Sequence, residues 1–247
     1  MSQQPRAVLV TGAGGGLGRA VSVAFARAGY DVAVNYGHSL EDANVTAEAV
    51  RACGTQAHVV QADVSDDAAV RAMVEDVVAT LGGLDALINN AGTTKFIALK
   101  DLDAVDDEVW DRLNAVNLKG PFYCARAAAP HLRQRRGAIV NVSSISAFQP
   151  VGTSIPYMTS KAGLVMLTRC LARALSPEIR TNAVAPGGLD TSWWDKHAPP
   201  EVKAAVFAPG AIPMVDLDDI ARAVLMLVET PSVNGQTLVI DRGQVMR

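Results

Sequence analysis

Short runs of β-branched and other apolar residues alternate with longer amphipathic stretches along this chain, and this alternation constrains the fold more than any other feature. Stretches long enough for helices separate the first six runs, and a last run follows the turn-like Asn234-Gly235. Such alternation is typical of successive βαβ units around a parallel sheet. It predicts strands at residues 7–10, 31–35, 58–61, 86–89, 138–142, 181–185 and 237–240.

Helical patterns fill the intervals between these strands. They cover residues 16–28, 40–53, 65–81, about 106–136, and 157–175, and Gly120-Pro121 is expected to bend the fourth. We therefore predict a single-domain, doubly wound α/β fold over residues 1–247, with a seven-stranded parallel sheet flanked by helices. Residues 188–215 have no clear period and several prolines, which indicates a long functional loop with short helices.

Composition excludes several classes of function. With 247 residues, 49% of them hydrophobic, the chain can bury a full core. A net charge of -3 gives no general attraction for nucleic acid or an anionic membrane, and no apolar run reaches membrane-spanning length. The first residues lead into a strand too soon for a signal-peptide core, so a cytoplasmic protein is expected. The cysteines and histidines lack metal-ligand spacing, so no metal site is predicted.

A glycine-rich segment directly follows the first strand and opens the first helix. Its sequence is Thr11-Gly12-Ala13-Gly14-Gly15-Gly16-Leu17-Gly18. Glycines let a backbone approach a pyrophosphate, and a helix N-terminus favours the negative charge. Alone the segment could be a flexible turn, but its place between strand and helix favours a dinucleotide cradle. The predicted contacts are Gly12, Gly14, Gly16, Leu17 and Gly18.

Tyr157 and Lys161 carry the predicted chemistry. Their four-residue spacing places both side chains on one face of a helix. A nearby ammonium favours the phenolate of a tyrosine, which can then act as a general acid or base. The spacing alone is weak, because both residues are common on solvated helices. Its neighbours in the sequence strengthen it.

Further motifs follow the later strands in a fixed order. Asn89-Asn90-Ala91-Gly92 follows the fourth strand, Ser143-Ser144 the fifth, and the segment from Pro186 to Thr191 the sixth. The glycine spacing T-G-x-x-x-G-x-G differs from the common G-x-G-x-x-G fingerprint. From Val8 to about Asp241 the whole set resembles the short-chain dehydrogenase/reductase family, and within it the 3-oxoacyl-acyl-carrier-protein reductases.

The resemblance implies a Rossmann-type NAD(P)(H)-dependent oxidoreductase that interconverts a ketone and a secondary alcohol, with Tyr157 as general acid/base. It assigns Lys161 as the partner of Tyr157, Ser144 as the group that hydrogen-bonds the substrate oxygen, and Asn117, preferred over Asn114, as the holder of a water near the lysine. It also implies that Tyr157 and Lys161 contact the cofactor. The other implied cofactor contacts are Asp63, Val64, Asn90, Ala91, Gly92, Pro186, Gly187, Leu189 and Thr191.

The stretch after the second strand bears on the choice of nicotinamide. It reads Asn35-Tyr36-Gly37-His38-Ser39 and holds no acid that would repel a 2′-phosphate, which favours NADP(H) over NAD(H). The arginines common in NADP-using relatives are missing, since glycines stand at positions 15 and 37. Asn35, His38 and Ser39 are the candidate hydrogen-bonding partners of the phosphate, and NAD(H) stays open as the alternative.

Trp193 and Trp194 in the irregular segment indicate a lid that contacts the substrate. Aromatic lids exclude water, so a hydrophobic, cyclic or acyl-chain carbonyl compound or alcohol is expected. The helix at 157–175 is apolar on two sides, with Val165 and Met166 on the second, and this indicates a homo-oligomer, a tetramer or dimer. Two alternatives remain: a nucleotide-binding regulator or scaffold without turnover, and an epimerase or dehydratase, which normally has a longer C-terminal domain.

Overall fold

The computed structural model describes residues 5–191, 194–195, 198–208, 211 and 213–245. Seven parallel strands form one sheet in the order β3-β2-β1-β4-β5-β6-β7, which confirms the predicted fold class. The order reverses between β1 and β4, at the switch point where doubly wound sheets bind ligands. The strands are β1 Arg6–Val10, β2 Tyr30–Tyr36, β3 Ala57–Gln61, β4 Ala86–Asn89, β5 Ala138–Val142, β6 Arg180–Pro186 and β7 Thr237–Ile240.

Helices cover both faces of this sheet. Several begin with an acidic or hydroxyl side chain that accepts a backbone N–H of the first turn, as Asp66 and Asp106 do. Among the helices that the structure describes, none combines the length and apolar character needed to span a bilayer. They are α1 Gly16–Arg27, α2 Leu40–Arg51, α3 Asp67–Leu81, α4 Asp107–Asn114, α5 Gly120–Arg135, α6 Ile155–Leu175, α7 Pro200–Val206 and α8 Leu217–Glu229.

The central strands are buried on both faces, which explains their continuous apolar runs. In β1, Val8 and Val10 pack into one layer of the core, formed largely with α1, α2 and α8. Ala7 and Leu9 pack into the opposite layer, formed with α3 and α5. The sheet is therefore a rigid platform whose loops can be held in fixed positions.

The predicted helix at 106–136 is two helices joined by a π-helical turn, Ala115–Lys119. The irregularity thus precedes Gly120-Pro121, where a bend was expected, because Pro121 lies in the first turn of α5 and its missing N–H disrupts little there. Gly120 packs on Val64, where a Cβ would lie 3.0 Å from Val64 Cγ2. The π turn contains Asn117.

The segment at 188–215 is irregular where the structure describes it, as predicted. It contains α7 and is anchored by a bridge between Leu189 and Val215. The Val215 N–H also donates to the Gly188 carbonyl at 2.8 Å. The segment is therefore tied at its base, next to the end of β6.

Candidate functional site

The loops that follow β1, β4, β5 and β6 meet at the carboxyl edge of the sheet. Thr11, at the end of β1, accepts the N–H groups of Asn90 and Ala91 on its hydroxyl at 3.0 and 3.1 Å. In return, Asn90 Nδ2 donates to the carbonyl oxygens of Thr11 and Gly12 at 2.9 and 3.0 Å. These bonds join the glycine loop to the Asn90-Ala91-Gly92 segment across the switch point.

Close contacts make glycine necessary at several positions of this loop. Gly12 has φ +62, and a Cβ there would lie 2.8 Å from Ala91 Cα. At Gly18, a Cβ would lie 2.4 Å from the Gly12 carbonyl oxygen. A Cβ on Gly16 would lie 3.3 Å from Thr191 Cγ2, so the structure brings the predicted cradle and Thr191 together.

Asn35 does not face a ligand, which corrects its prediction as a phosphate contact. The residue is 1% exposed. Its Oδ1 accepts the Gly12 N–H at 3.2 Å, and its Nδ2 donates to the Ala62 carbonyl at 3.2 Å. These bonds occupy both polar atoms of the Asn35 side chain, which thereby holds the glycine loop against the end of β2. The other two candidates, His38 and Ser39, are exposed, and Ser39 Oγ accepts the Asp42 N–H at the start of α2.

Asp63 and Val64 lie beyond the end of β3. The Asp63 carboxylate accepts hydrogen bonds from Ser65 Oγ at 2.7 Å and from Arg112 at 3.2 Å. Partial burial would raise the pKa of Asp63, but the bonds from Ser65 and Arg112 outweigh it and hold that pKa below its usual value. Val64 is buried. An adenine contact here stays a prediction.

Tyr157, Ser144 and Lys161 lie together at the ends of β5 and α6. Exclusion of water raises the pKa of Tyr157, and the neighbouring Ser144 side chain lowers it in part. Ser144 Oγ donates to Ser146 Oγ and accepts the Ser146 N–H, both at 3.1 Å. Lys161 is 5% exposed, and its Nζ donates to the Val142 carbonyl at 2.9 Å and lies 5.9 Å from the Tyr157 ring centroid. Burial lowers the pKa of Lys161 to about 8.

Asn117 lies beside this group on the π turn. Its Oδ1 accepts the Thr93 N–H at 2.8 Å, and its Nδ2 donates to the Thr93 carbonyl and to Ser160 Oγ at 2.9 and 3.2 Å. A Cβ on Gly92 would lie 3.4 Å from Asn117 Oδ1 and 3.6 Å from Lys161 Nζ. The structure thus brings together all four residues predicted as catalytic, and gives the Asn117 side chain a positioning role.

Ser143, expected from the sequence to be the structural neighbour of Ser144, donates from its Oγ to the Lys161 carbonyl at 2.9 Å and so fixes α6 against the end of β5. Two other contributors to the site were missed in the sequence. Asp42 lies beside the glycine loop, since a Cβ on Gly14 would lie 3.3 Å from Asp42 Cβ. Arg19 donates to the Gly14 carbonyl at 2.8 Å. No sequence signal marks Asp42 or Arg19, because their contacts with the glycine loop depend on the packing of α2.

Trp194 packs inside the segment that was predicted to cover the substrate. Its Nε1 donates to the Leu189 carbonyl at 2.7 Å, and its ring meets Phe207 edge-on at 5.9 Å between centroids. Trp193 lies outside the described residues. Near the same segment, the Gly187 N–H donates to the Ile240 carbonyl at 3.0 Å, which fixes the chain just after Pro186. In the described part of the chain, no group of three or more His, Cys, Asp or Glu side chains could hold a metal ion.

Comparisons with known proteins agree over nearly the whole chain. Residues 6–202 match the short chain dehydrogenase family. A protein named as ketoacyl reductase 2 of the granaticin polyketide synthase of Streptomyces violaceoruber is 40% identical, covering 95% of this chain and 94% of its own. The 3-oxoacyl-[acyl-carrier-protein] reductase of Staphylococcus aureus is 37% identical, covering 98% of each.

Two solved structures have nearly the same fold. A short chain dehydrogenase of Burkholderia cenocepacia in complex with NADP superposes with a TM-score of 0.87 at 36% identity, covering 98% of each chain. Carveol dehydrogenase of Mycobacterium avium in complex with NAD superposes with a TM-score of 0.87 at 29% identity, again covering 98% of each.

Proposed function

The chain belongs to the short-chain dehydrogenase family of oxidoreductases, and on that premise we propose that it interconverts a ketone and a secondary alcohol with a nicotinamide dinucleotide as hydride carrier. The observation that carries the proposal is the grouping of Ser144 and Tyr157 beside buried Lys161 at the carboxyl edge of the sheet, next to the Asn90-Ala91-Gly92 segment. A proton donor, a hydrogen-bonding hydroxyl and a cation there suit a reaction that moves one proton at a carbonyl oxygen.

The residues of the glycine loop suit a dinucleotide. The first turn of α1 leaves backbone N–H groups without helical partners, and Gly12, Gly16 and Gly18 leave no side chain in the way. Gly14, Leu17, Asn90, Ala91, Gly92 and the Pro186–Thr191 segment surround the same loop in the proposal. The bound dinucleotide supplies or accepts the hydride.

In the proposed reduction, Ser144 holds the carbonyl oxygen and Tyr157 donates its phenolic proton to it. In oxidation, the phenolate takes the proton back. The ammonium of Lys161 stabilises that phenolate by its charge. Asn117, whose side chain is fixed by bonds to Thr93 and Ser160, is the proposed holder of a water that links Lys161 to solvent.

NADP(H) is the proposed cofactor in preference to NAD(H). No acid stands among residues 35–39, and His38 and Ser39 are exposed at the rim of the loop, in reach of a 2′-phosphate in this proposal. The observation that favours NAD(H) is an acidic residue beside the glycine loop, since Asp42 Cβ would lie 3.3 Å from a Cβ on Gly14. One similar structure holds NADP and another NAD, so the relatives support both.

The proposed substrate is a hydrophobic, cyclic or acyl-chain carbonyl compound. Trp194 and Phe207 give the segment after β6 an aromatic interior, and ketoacyl reductase is the activity in the names of two relatives. Direct contact of Trp193 and Trp194 with the substrate belongs to this proposal. So does assembly into a dimer or tetramer.

The exposed face of α6 supports assembly into an oligomer, but the residues on that face differ from those expected from the sequence. Val165, placed on the second apolar side by the sequence, is buried inside the chain. The exposed face carries Met166 together with Ala162, Cys170 and Ala174, four residues apart along the helix. This stripe is narrow and flat enough for helix packing between subunits. Sedimentation velocity as a monomer at micromolar concentration would contradict the assembly.

The deciding experiment follows oxidation of NADPH and of NADH by absorbance with three substrate sets: aliphatic ketones, cyclic ketones and 3-oxoacyl thioesters. The proposal expects turnover with at least one set and a higher kcat/KM with NADPH. Binding of a dinucleotide without turnover in either direction would favour the regulator or scaffold. Turnover only with NADH would contradict the proposed preference for NADP(H).

A further inference from the structure

Arg19, in the first turns of α1, connects the glycine loop to α2. One arm of its guanidinium donates to the Gly14 carbonyl at 2.8 Å, and Nε donates to Thr46 Oγ1 at 3.0 Å. Thr46 is fully buried, and its hydroxyl lies 3.3 Å from the same Gly14 carbonyl. The Asp42 carbonyl, at 3.4 Å, completes the contacts of the guanidinium. A charged side chain and a buried hydroxyl thus converge on one carbonyl of the loop.

The position of that carbonyl decides where the next N–H points. In a trans peptide the C=O and the following N–H point in opposite directions. With the Gly14 carbonyl held against Arg19 and Thr46, the Gly15 N–H points away from α2. Gly15 is exposed, and nothing lies within 4 Å of a Cβ built on it. This N–H is therefore presented on the open side of the loop.

The two peptides at the start of the loop are fixed by different partners. The Gly12 and Ala13 N–H groups donate to Asn35 Oδ1 and to the Asn35 carbonyl at 3.2 and 2.8 Å. Asn90 holds the Gly12 carbonyl. The Gly14–Gly15 peptide is the one that Arg19 controls, and glycine on both sides gives that peptide the greatest freedom to rotate without such a partner.

We propose that Arg19 is a positioning residue of the pyrophosphate subsite, which holds the Gly14 carbonyl away from the ligand and orients the Gly15 N–H toward it. The inference rests on the proposed function, because it assumes a dinucleotide in the glycine loop. Arg19 acts through the backbone and touches neither the nicotinamide nor the 2′-position. Its removal therefore weakens all ligands that contain the pyrophosphate to the same extent.

The test is calorimetric titration of the full chain with ADP, NAD+ and NADP+, below the unfolding temperature of each variant. Arg19→Met is expected to raise all three Kd values about tenfold, the effect of one hydrogen bond to a charged group. Arg19→Lys keeps the charge and one contact but loses the paired donors of the guanidinium. Its Kd values are expected to lie between those of Arg19→Met and the wild type. In turnover, the Arg19→Met loss falls mainly on the KM for the cofactor.

Arg27→Met is the matched control, since it removes the same charge from the same helix at an exposed position. It is expected to leave all three Kd values within twofold of the wild type. Wild-type ADP affinity in Arg19→Met, or an equal loss in Arg27→Met, would overturn the proposal. A loss confined to NADP+ would do the same, because Arg19 would then act on the 2′-phosphate.

Two further results separate this inference from the proposed function. If Arg19→Met does not fold, Arg19→Lys and Thr46→Val carry the test, and unchanged ADP affinity in both overturns the positioning role. If the wild type binds none of the three ligands, the proposed function fails and the inference fails with it. Wild-type binding that Arg19→Met leaves intact defeats the inference alone.

Discussion

The carboxyl and amino edges of the sheet are both polar, but their charged groups have different partners. At the amino edge, arginines bind the carbonyl ends of helices: Arg6 donates to Ala28 after α1 at 2.7 Å, and Arg135 to Gly82 after α3 at 2.9 Å. Arg180 donates to Leu227 and Thr230 at the end of α8, at 2.8 and 2.9 Å. At the carboxyl edge, the glycine loop and the first turn of α1 present N–H groups instead.

The direction of the helices explains this difference. In a parallel sheet with crossover helices, every helix begins near the carboxyl edge and ends near the amino edge. Partial positive charges therefore collect at one edge and negative ones at the other. A cleft of ≈ 470 Å³ at the amino edge is lined by Arg6, Arg135, Arg136 and Arg180, yet at least three of these already bind helix ends. Its arginines stabilise the fold, whereas the carboxyl edge is arranged for a ligand.

The strongest test of the different roles of the two edges is to remove one hydroxyl group from each. Tyr157→Phe is expected to lower kcat by at least about 100-fold, because Tyr157 is the proton donor of the proposed reaction. Tyr30→Phe is the matched change at the amino edge, where the hydroxyl accepts a hydrogen bond from Arg6 at 3.1 Å. It is expected to leave kcat unchanged and to cost about 1 kcal/mol of unfolding free energy. Steady-state kinetics and urea unfolding of both variants provide the comparison.

Wild-type turnover in Tyr157→Phe would contradict the proton-transfer role directly. A fall in kcat with Tyr30→Phe as large as with Tyr157→Phe would show that the edges are coupled, and that the loss reports general loosening of the sheet.

Arg180→Met tests the stabilising role of the amino edge. The substitution leaves the carbonyl oxygens of Leu227 and Thr230 without the donor they have now. The expected cost is about 2–4 kcal/mol of unfolding free energy, from the loss of several hydrogen bonds to a charged group. Urea midpoints measure it, and kcat per folded molecule should stay at the wild-type value. An unchanged midpoint would show that solvent replaces the guanidinium.

Much of the fold and of the candidate site could be predicted from the sequence. The observed bounds of β4, β5 and β7 match the predicted ones, because each is a mostly apolar run next to residues that favour turns. Tyr157, Lys161 and Ser144 were predicted together, since their grouping depends on helix spacing and on the end of β5. The end of α2 was placed two residues too far, because the chain turns at Gly54, where φ is +87.

The features that sequence reasoning missed all depend on contacts between distant segments. Asn35 was predicted to face a phosphate, but the pairing of β2 with β1 turns its amide toward Gly12. The π turn contains Asn117, whose partners Thr93 and Ser160 lie on other segments. Arg19 has no recognisable motif, and its role follows only from the position of α2. Such contacts are set by the packing of the sheet layers, which no local pattern specifies.

Lys161, at the carboxyl edge, should make the unfolding free energy depend on pH. Its pKa is about 8 in the folded chain, against about 10.4 for an exposed lysine in the unfolded one. Between these values the unfolded chain binds more protons, so this group makes the unfolding free energy rise with pH. The free-energy difference between wild type and Lys161→Met should shift by about 2 kcal/mol in favour of the wild type from pH 8 to 10.

The Arg180 guanidinium stays charged over this range, so Arg180→Met should show no such pH dependence relative to the wild type. Urea unfolding at several pH values checks both variants. A difference between wild type and Lys161→Met that does not change with pH would show that the lysine is not desolvated.

The smallest expected effect comes from two glycines with similar backbones. Gly12 at the carboxyl edge and Gly82 at the amino edge have φ +62 and +76, so alanine costs each about 1 kcal/mol in backbone strain. A Cβ on Gly82 meets nothing within 4 Å, whereas one on Gly12 lies 2.8 Å from Ala91 Cα. Gly12→Ala should therefore also displace the glycine loop and weaken ADP binding at least about tenfold, while Gly82→Ala leaves it unchanged. Equal ADP affinities in the two variants would mean that the close contact between Gly12 and Ala91 does not shape the cradle.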